Sequence, residues 1–220
     1  MPNPFDLVIF DCDGVLVDSE RLGVLVEAEL ITAEGWTVTP AEVASHFLGK
    51  TDEHMLGEIE RQVGRALGAE WLARLHERYA ERFVTDLKAI DGITDLLDAL
   101  VHAGIPTCVA SSGTPEKMAT TLGITGLYER FTGRIYSAVD VERGKPAPDL
   151  FLHAAASMGV APERCAVVED SPAGVTAARA AGMTVFAFET ELVDTELLHG
   201  PRTTTFPSMR DLIEPLTTVR

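Results

Sequence analysis

Basic residues are scarce in this sequence. Eighteen lysines and arginines stand against 34 aspartates and glutamates, a formal charge of −16 at pH 7. Such a chain repels nucleic acid and anionic membrane surfaces, so neither is expected as a partner. An anionic ligand would need a local positive group or a metal. Cysteine is also rare: Cys12, Cys108 and Cys165 are odd in number, lack C-x-x-C spacing and lie in or beside apolar runs. That is the pattern of small buried hydrophobes, not of a disulfide framework. No apolar run approaches the roughly 18 residues of a membrane span, and the opening MPNPFD lacks a basic-plus-apolar leader. The expectation is a soluble, cytoplasmic chain in a reducing compartment. The six histidines show no metal-ligand spacing such as H-E-x-x-H.

What the chain does contain is a rhythm. Short apolar, β-branched runs recur at Leu7–Phe10, Thr107–Ala110, Ala166–Val168 and Thr184–Phe188, with a weaker one at Arg134–Ser137. Helical patterns at Ile93–His102, Pro115–Leu122, Pro148–Met158 and Gly174–Ala181 separate the last four, several of them closed by glycine. Strands alternating with helices predict an α/β fold with a parallel sheet covered on both faces. Residues 18–86 break the rhythm with helix signals only. Thr39-Pro40-Ala41-Glu42 reads as a capping box, and Leu56-Ile59-Val63-Leu67 and Leu72-Leu75-Tyr79-Phe83 as amphipathic stripes. A structureless loop of that length is improbable, so a small helical domain inserted after the first strand is expected.

In open parallel sheets, ligands bind beyond the carboxyl ends of the strands. The first run ends in DCDGVLVDSE, which places Asp11 and Asp13 one residue apart on the same side of an extended chain. The second ends at Ser111-Ser112-Gly113, and the run at 166–168 ends at Glu169-Asp170. Lys145 lies in the loop Arg143-Gly144-Lys145-Pro146-Ala147-Pro148-Asp149. Two unit charges about 4 Å apart repel by about 4 kcal/mol at an effective dielectric near 20. A divalent cation turns that repulsion into attraction, so Asp11, Asp13 and Asp170 are candidate oxygen ligands for Mg2+. Ser111 and the backbone N–H groups after it, ahead of Thr114-Pro115-Glu116, open a helix and favour an anion. Lys145 would add a point charge to a transferring phosphoryl group.

The ordered set DCDGVLVDSE, VASSG, RGKPAPD and VVEDSPAG resembles the four motifs of the haloacid dehalogenase-like hydrolase superfamily, over nearly the whole chain. The resemblance implies a Rossmann-like core at residues 1–17 and 87–220 with a helical cap at 18–86. The branch it is most similar to holds β-phosphoglucomutase and small sugar-phosphate phosphatases, 6-phosphogluconate phosphatase among them. By motif, Asp11 is the nucleophile that becomes an aspartyl-phosphate, and Asp13 the general acid–base. The resemblance gives Asp13 a second role, offering its backbone carbonyl to Mg2+ in place of its side chain. Ser111 and Lys145 hold the phosphoryl group, with Ser112 and Gly113 beside it. Asp170, with Glu169 directly or through water, completes the metal site. The implied substrate is a small phosphorylated metabolite and the expected state a monomer.

Three departures and one rival bear on the reading. An acid at position 13 argues against dehalogenase chemistry, which needs none. Gly23 and Asp52 stand where the mutase has a histidine and a phosphate-binding arginine, which favours hydrolysis over transfer between sugar hydroxyls. The loop Phe47-Leu48-Gly49-Lys50-Thr51-Asp52 resembles the branch's specificity loop, which makes Lys50 the candidate contact for the substrate's distal end. Receiver domains also cluster acids, a hydroxyl and a lysine around a phosphorylated aspartate, but they carry no helical insert.

Overall fold

A computed structural model describes residues 4–218; residues 1–3 of the MPNPFD segment lie outside them. Six parallel strands form one sheet: β1 (Leu7–Phe10), β2 (Thr107–Ser111), β3 (Ile135–Ser137), β4 (Cys165–Glu169), β5 (Thr184–Phe188) and β6 (Thr203–Phe206). Their order is β3-β2-β1-β4-β5-β6. The fold is α/β, as the alternation of strand and helix signals predicts, and Rossmann-like, as the family resemblance implies. The chain divides into two compact units, residues 1–18 with 88–220 and residues 19–87.

In the first unit β1 is central, because it pairs with both β2 and β4. All four of its side chains are fully buried. Leu7 and Ile9 join a core cluster with Leu150, Phe151 and Ala154 of α7 (Asp149–Ser157) and with Val175 and Ala178 of α8 (Pro172–Ala180). Val8 and Phe10 alternate to the other face, where Phe10 meets the Phe131 ring edge-on at 6.4 Å. Burial on both faces is why the strand reads as a continuous apolar run and not as an alternating one. Each fully buried aliphatic side chain of this kind contributes roughly 1.5–3 kcal/mol. Three further helices complete the unit: α5 (Ile93–His102), α6 (Pro115–Ile124) and α9 (Ile213–Thr217).

Two elements differ from expectation here. β6 has no strong sequence signal: Thr-Thr-Thr-Phe lacks an apolar alternation, and as an edge strand it pairs with β5 alone. α8 starts two residues earlier than its apolar spacing suggests. Ser171 Oγ accepts the Gly174 N–H at 3.0 Å, and Pro172 fits the first turn, where no backbone donor is needed.

The second unit holds α1 (Ser19–Ala33), α2 (Pro40–Phe47), α3 (Asp52–Val63) and α4 (Gly68–Asp86). The Thr39–Glu42 capping box forms as the sequence suggests. The stripe ending at Leu67 is cut short, however, because Gly64 closes α3 in the left-handed region (φ 71°) and α4 begins at Gly68. Ile31, Val43, Ile59, Trp71 and Leu75 make the unit's core.

Three of its helices meet at a polar cluster. Tyr79 of α4 donates its hydroxyl hydrogen bond to Glu27 of α1, and His76 bonds Asp52 of α3 at 2.7 Å. Burial raises the Glu27 carboxyl above its ordinary 4.5, helped by the nearby Asp52 and opposed by the Tyr79 hydroxyl. A carboxyl whose folded pKa is raised stabilises the fold at low pH and loses that contribution as pH rises. Glu27→Gln should therefore melt higher than wild type at neutral and mildly alkaline pH. The gap should close as pH falls below the unfolded value of 4.5. Melting curves across pH check this, and a variant less stable at neutral pH would contradict it.

Candidate active site

The strand order reverses on either side of β1, and such a switch point is where open α/β sheets bind ligands. β1 ends at Phe10, but the ladder runs one residue further: the Asp11 N–H donates to Val168 O at 3.0 Å. This pins the Asp11 backbone beside the end of β4. The chain then turns at Gly14 (φ 77°), whose N–H donates to Val17 O at 2.9 Å.

Asp11, Glu169 and Asp170 are all buried, and their carboxylate oxygens gather within 4.8 Å of one another. Lys145 reaches into the group, donating to Asp11 Oδ1 at 2.7 Å and to Glu169 Oε1 at 2.6 Å. Its side chain is 5% exposed, and its ammonium lies 4.9 Å from the centroid of the Phe151 ring. The lysine loop is itself braced, because the Arg143 guanidinium makes a two-pronged pair with Asp149 at 3.0 and 2.9 Å. The second Glu169 oxygen accepts the Ser171 N–H at 2.6 Å.

These contacts set the charges. Burial pushes the Asp11 carboxyl up to about 6; Lys145 pulls it down and Glu169 pushes it further up. For Lys145, burial alone would lower the ammonium, but the two carboxylates outweigh it and hold the group firmly protonated. The donor set of three close carboxylates is hard oxygen throughout, which fits Mg2+ and not a soft metal.

On the β2 side, Ser111 ends the strand almost fully buried and its Oγ accepts the Gly113 N–H at 3.2 Å. Ser137 Oγ ties the same loop down by donating to Gly113 O at 2.7 Å. Asp13 Oδ2 and Ser111 Oγ each lie 3.6 Å from where a side chain on Gly113 would begin, so the two groups border one spot. Ser112 is exposed. The Asp13 carboxylate is not part of the three-carboxylate cluster. It accepts instead from Lys117 Nζ at 2.8 Å.

Lys117 is a residue that sequence reasoning missed. It sits in the first turn of α6, where its N–H is capped by Thr114 Oγ1, and it reads in sequence as one more solvated helix lysine. The available signal was its position, one helical turn beyond the Ser111-Ser112-Gly113 strand end. Lys50 lies exposed in the second unit, in the link between α2 and α3.

Comparison with known proteins agrees with this geometry. The model of the haloacid dehalogenase-like hydrolases matches residues 5–182. The 6-phosphogluconate phosphatase of Escherichia coli is 33% identical over 95% of this chain and 93% of its own. A haloacid dehalogenase family hydrolase from Deinococcus radiodurans, solved with bound phosphate and sodium, superposes with a TM-score of 0.85 at 31% identity. That match covers 98% of this chain and 96% of the other. A putative beta-phosphoglucomutase from Thermotoga maritima gives 0.82 at 25% identity, covering 96% and 98%. The chain belongs to the haloacid dehalogenase-like hydrolases.

Proposed function

We propose that this hydrolase is a Mg2+-dependent phosphatase of a small sugar phosphate, working through a phosphorylated Asp11. The observation that carries the reading is the Asp11 carboxylate: buried, bonded to Lys145, and close to Glu169 and Asp170. The curated 6-phosphogluconate phosphatase and the phosphate bound in the Deinococcus structure support it from the side of relatives.

In the first step an Asp11 oxygen attacks phosphorus and the ester P–O bond breaks, while Asp13 gives its proton to the departing alkoxide. In the second, Asp13 takes a proton from water as that water attacks phosphorus. This releases inorganic phosphate and restores the Asp11 carboxylate. Lys145 and Ser111 steady the phosphoryl oxygens, with Ser112 and Gly113 beside them. Lys145 is already fixed by two partners before substrate arrives, so little reorganisation is needed at the moment of reaction. Asp11, Glu169 and Asp170 would hold Mg2+, which supplies the positive charge that lets a carboxylate approach an anionic phosphoryl group.

Hydrolysis is favoured over transfer between two sugar hydroxyls by the residues at 23 and 52. Gly23 offers no side chain to carry a proton. Asp52 is an acid bonded to His76, a poor host for a second phosphate.

A screen for phosphate release across sugar phosphates, 6-phosphogluconate included, tests the reading. Turnover is expected with Mg2+ and should disappear with EDTA. Full activity in exhaustively chelated enzyme would remove the metal from the mechanism, and silence on every phosphate ester would remove the phosphatase.

A further inference from the structure

α8 carries a glycine at its third residue, within Pro172–Ala180. Glycine is a poor helix former, and Gly174 is not among the glycines with positive φ, so the backbone does not call for it. Space does. A side chain built at 174 would begin 1.6 Å from Glu169 Oε1, 2.0 Å from its carboxyl carbon and 2.7 Å from Oε2. The room an alanine methyl would occupy is filled by the Glu169 carboxylate. At Gly57 and Gly123, which also lie in helices, a side chain would meet nothing within 4 Å.

Glu169 could escape such a methyl only by abandoning its bonds. It is fully buried, its Oε1 accepts from Lys145 at 2.6 Å and its Oε2 from the Ser171 N–H at 2.6 Å. The N-terminal end of α8 therefore holds this carboxylate in two ways: the N–H of the capping residue Ser171 donates to it, and Gly174 leaves its place empty.

We propose that Gly174 is a positioning residue for the metal site. By lacking a side chain it lets Glu169 lie against α8, aimed at Lys145 and at Asp11 and Asp170. The inference rests on the reading that these carboxylates hold Mg2+. It also means that the Glu169 carboxylate must stay where it is for the cluster to bind the ion. Groups that orient a metal ligand from outside the coordination shell typically govern affinity by ten- to a hundredfold.

The test is a Mg2+ titration of thermal stability, which reads binding without turnover. Wild type, Gly174→Ala, Glu169→Gln and the double variant are compared. Gly174→Ala should need at least about tenfold more Mg2+ for half of the stabilisation. The double variant should resemble Glu169→Gln to within about twofold, because the glycine acts only through that carboxylate. Wild-type Mg2+ affinity in Gly174→Ala, or losses that multiply in the double variant, would overturn the proposal while leaving the metal reading intact. A wild type whose stability ignores Mg2+ would overturn both. If Gly174→Ala does not fold, Gly174→Ala combined with Glu169→Asp decides, since the shorter acid withdraws from the methyl. Recovery of folding supports the inference, and failure to recover places the glycine in helix packing alone and overturns it.

Discussion

Asp11→Asn should leave a folded protein that releases phosphate at least about a thousandfold more slowly than wild type. The amide matches the carboxylate in size and still accepts from Lys145, so the buried contact survives in shape. It is not a nucleophile, and the cluster with Glu169 and Asp170 loses one of its three charges. Stability should not fall steeply, because Lys145 keeps Glu169 as its partner at 2.6 Å. Phosphate release by the purified variant, set beside its melting curve, checks both halves. Turnover above about a tenth of wild type would place the nucleophile elsewhere.

The second large effect lies at Lys145. Lys145→Met keeps an unbranched side chain but removes the ammonium that faces Asp11 and Glu169 and lies over the Phe151 ring. Two carboxylates would then sit buried and close together without their cation. Removing one partner of a buried ionic group costs about 3–5 kcal/mol. For a chain of this size that corresponds to a fall of very roughly 10 °C in Tm in the metal-free state. Added Mg2+ should return part of the loss, because the ion supplies the missing charge to the same carboxylates. Phosphatase activity should drop by about a hundred- to a thousandfold, as when a fixed charge-stabilising group is withdrawn from a developing anion. A metal-free Tm equal to that of wild type would show that the Asp11–Lys145–Glu169 contacts do not hold the site together.

Much of the core is legible because its strands are covered on both faces. Leu7–Phe10 and Thr184–Phe188 can be bounded by their apolar runs alone, and the acids that follow the first stand out against it. Asp11, Lys145, Glu169 and Asp170 are each marked by motif, and the structure brings them within bonding distance or into one cluster. What escapes is what pattern does not encode. β6 is an edge strand with a single buried residue, Phe206, tilted against Phe188 at 5.3 Å, so its threonines give no periodic signal. Lys117 meets Asp13 across 104 positions of sequence, and nothing local marks it apart from other helix lysines. The tie between Glu27 and Tyr79 spans 52 positions and joins two helices whose sequences look merely amphipathic. Gly174 belongs to a recognisable motif, yet its purpose emerges only when the distance to Glu169 is known.

The central claim is that Asp11 carries the phosphoryl group between the two halves of the reaction. Rapid acid quenching during turnover, borohydride reduction and peptide mass spectrometry test it directly, since reduction converts a phosphorylated aspartate to homoserine. The account predicts homoserine at position 11, dependent on substrate and absent from Asp11→Asn. Steady turnover with no modified Asp11, or homoserine at another aspartate, would contradict it.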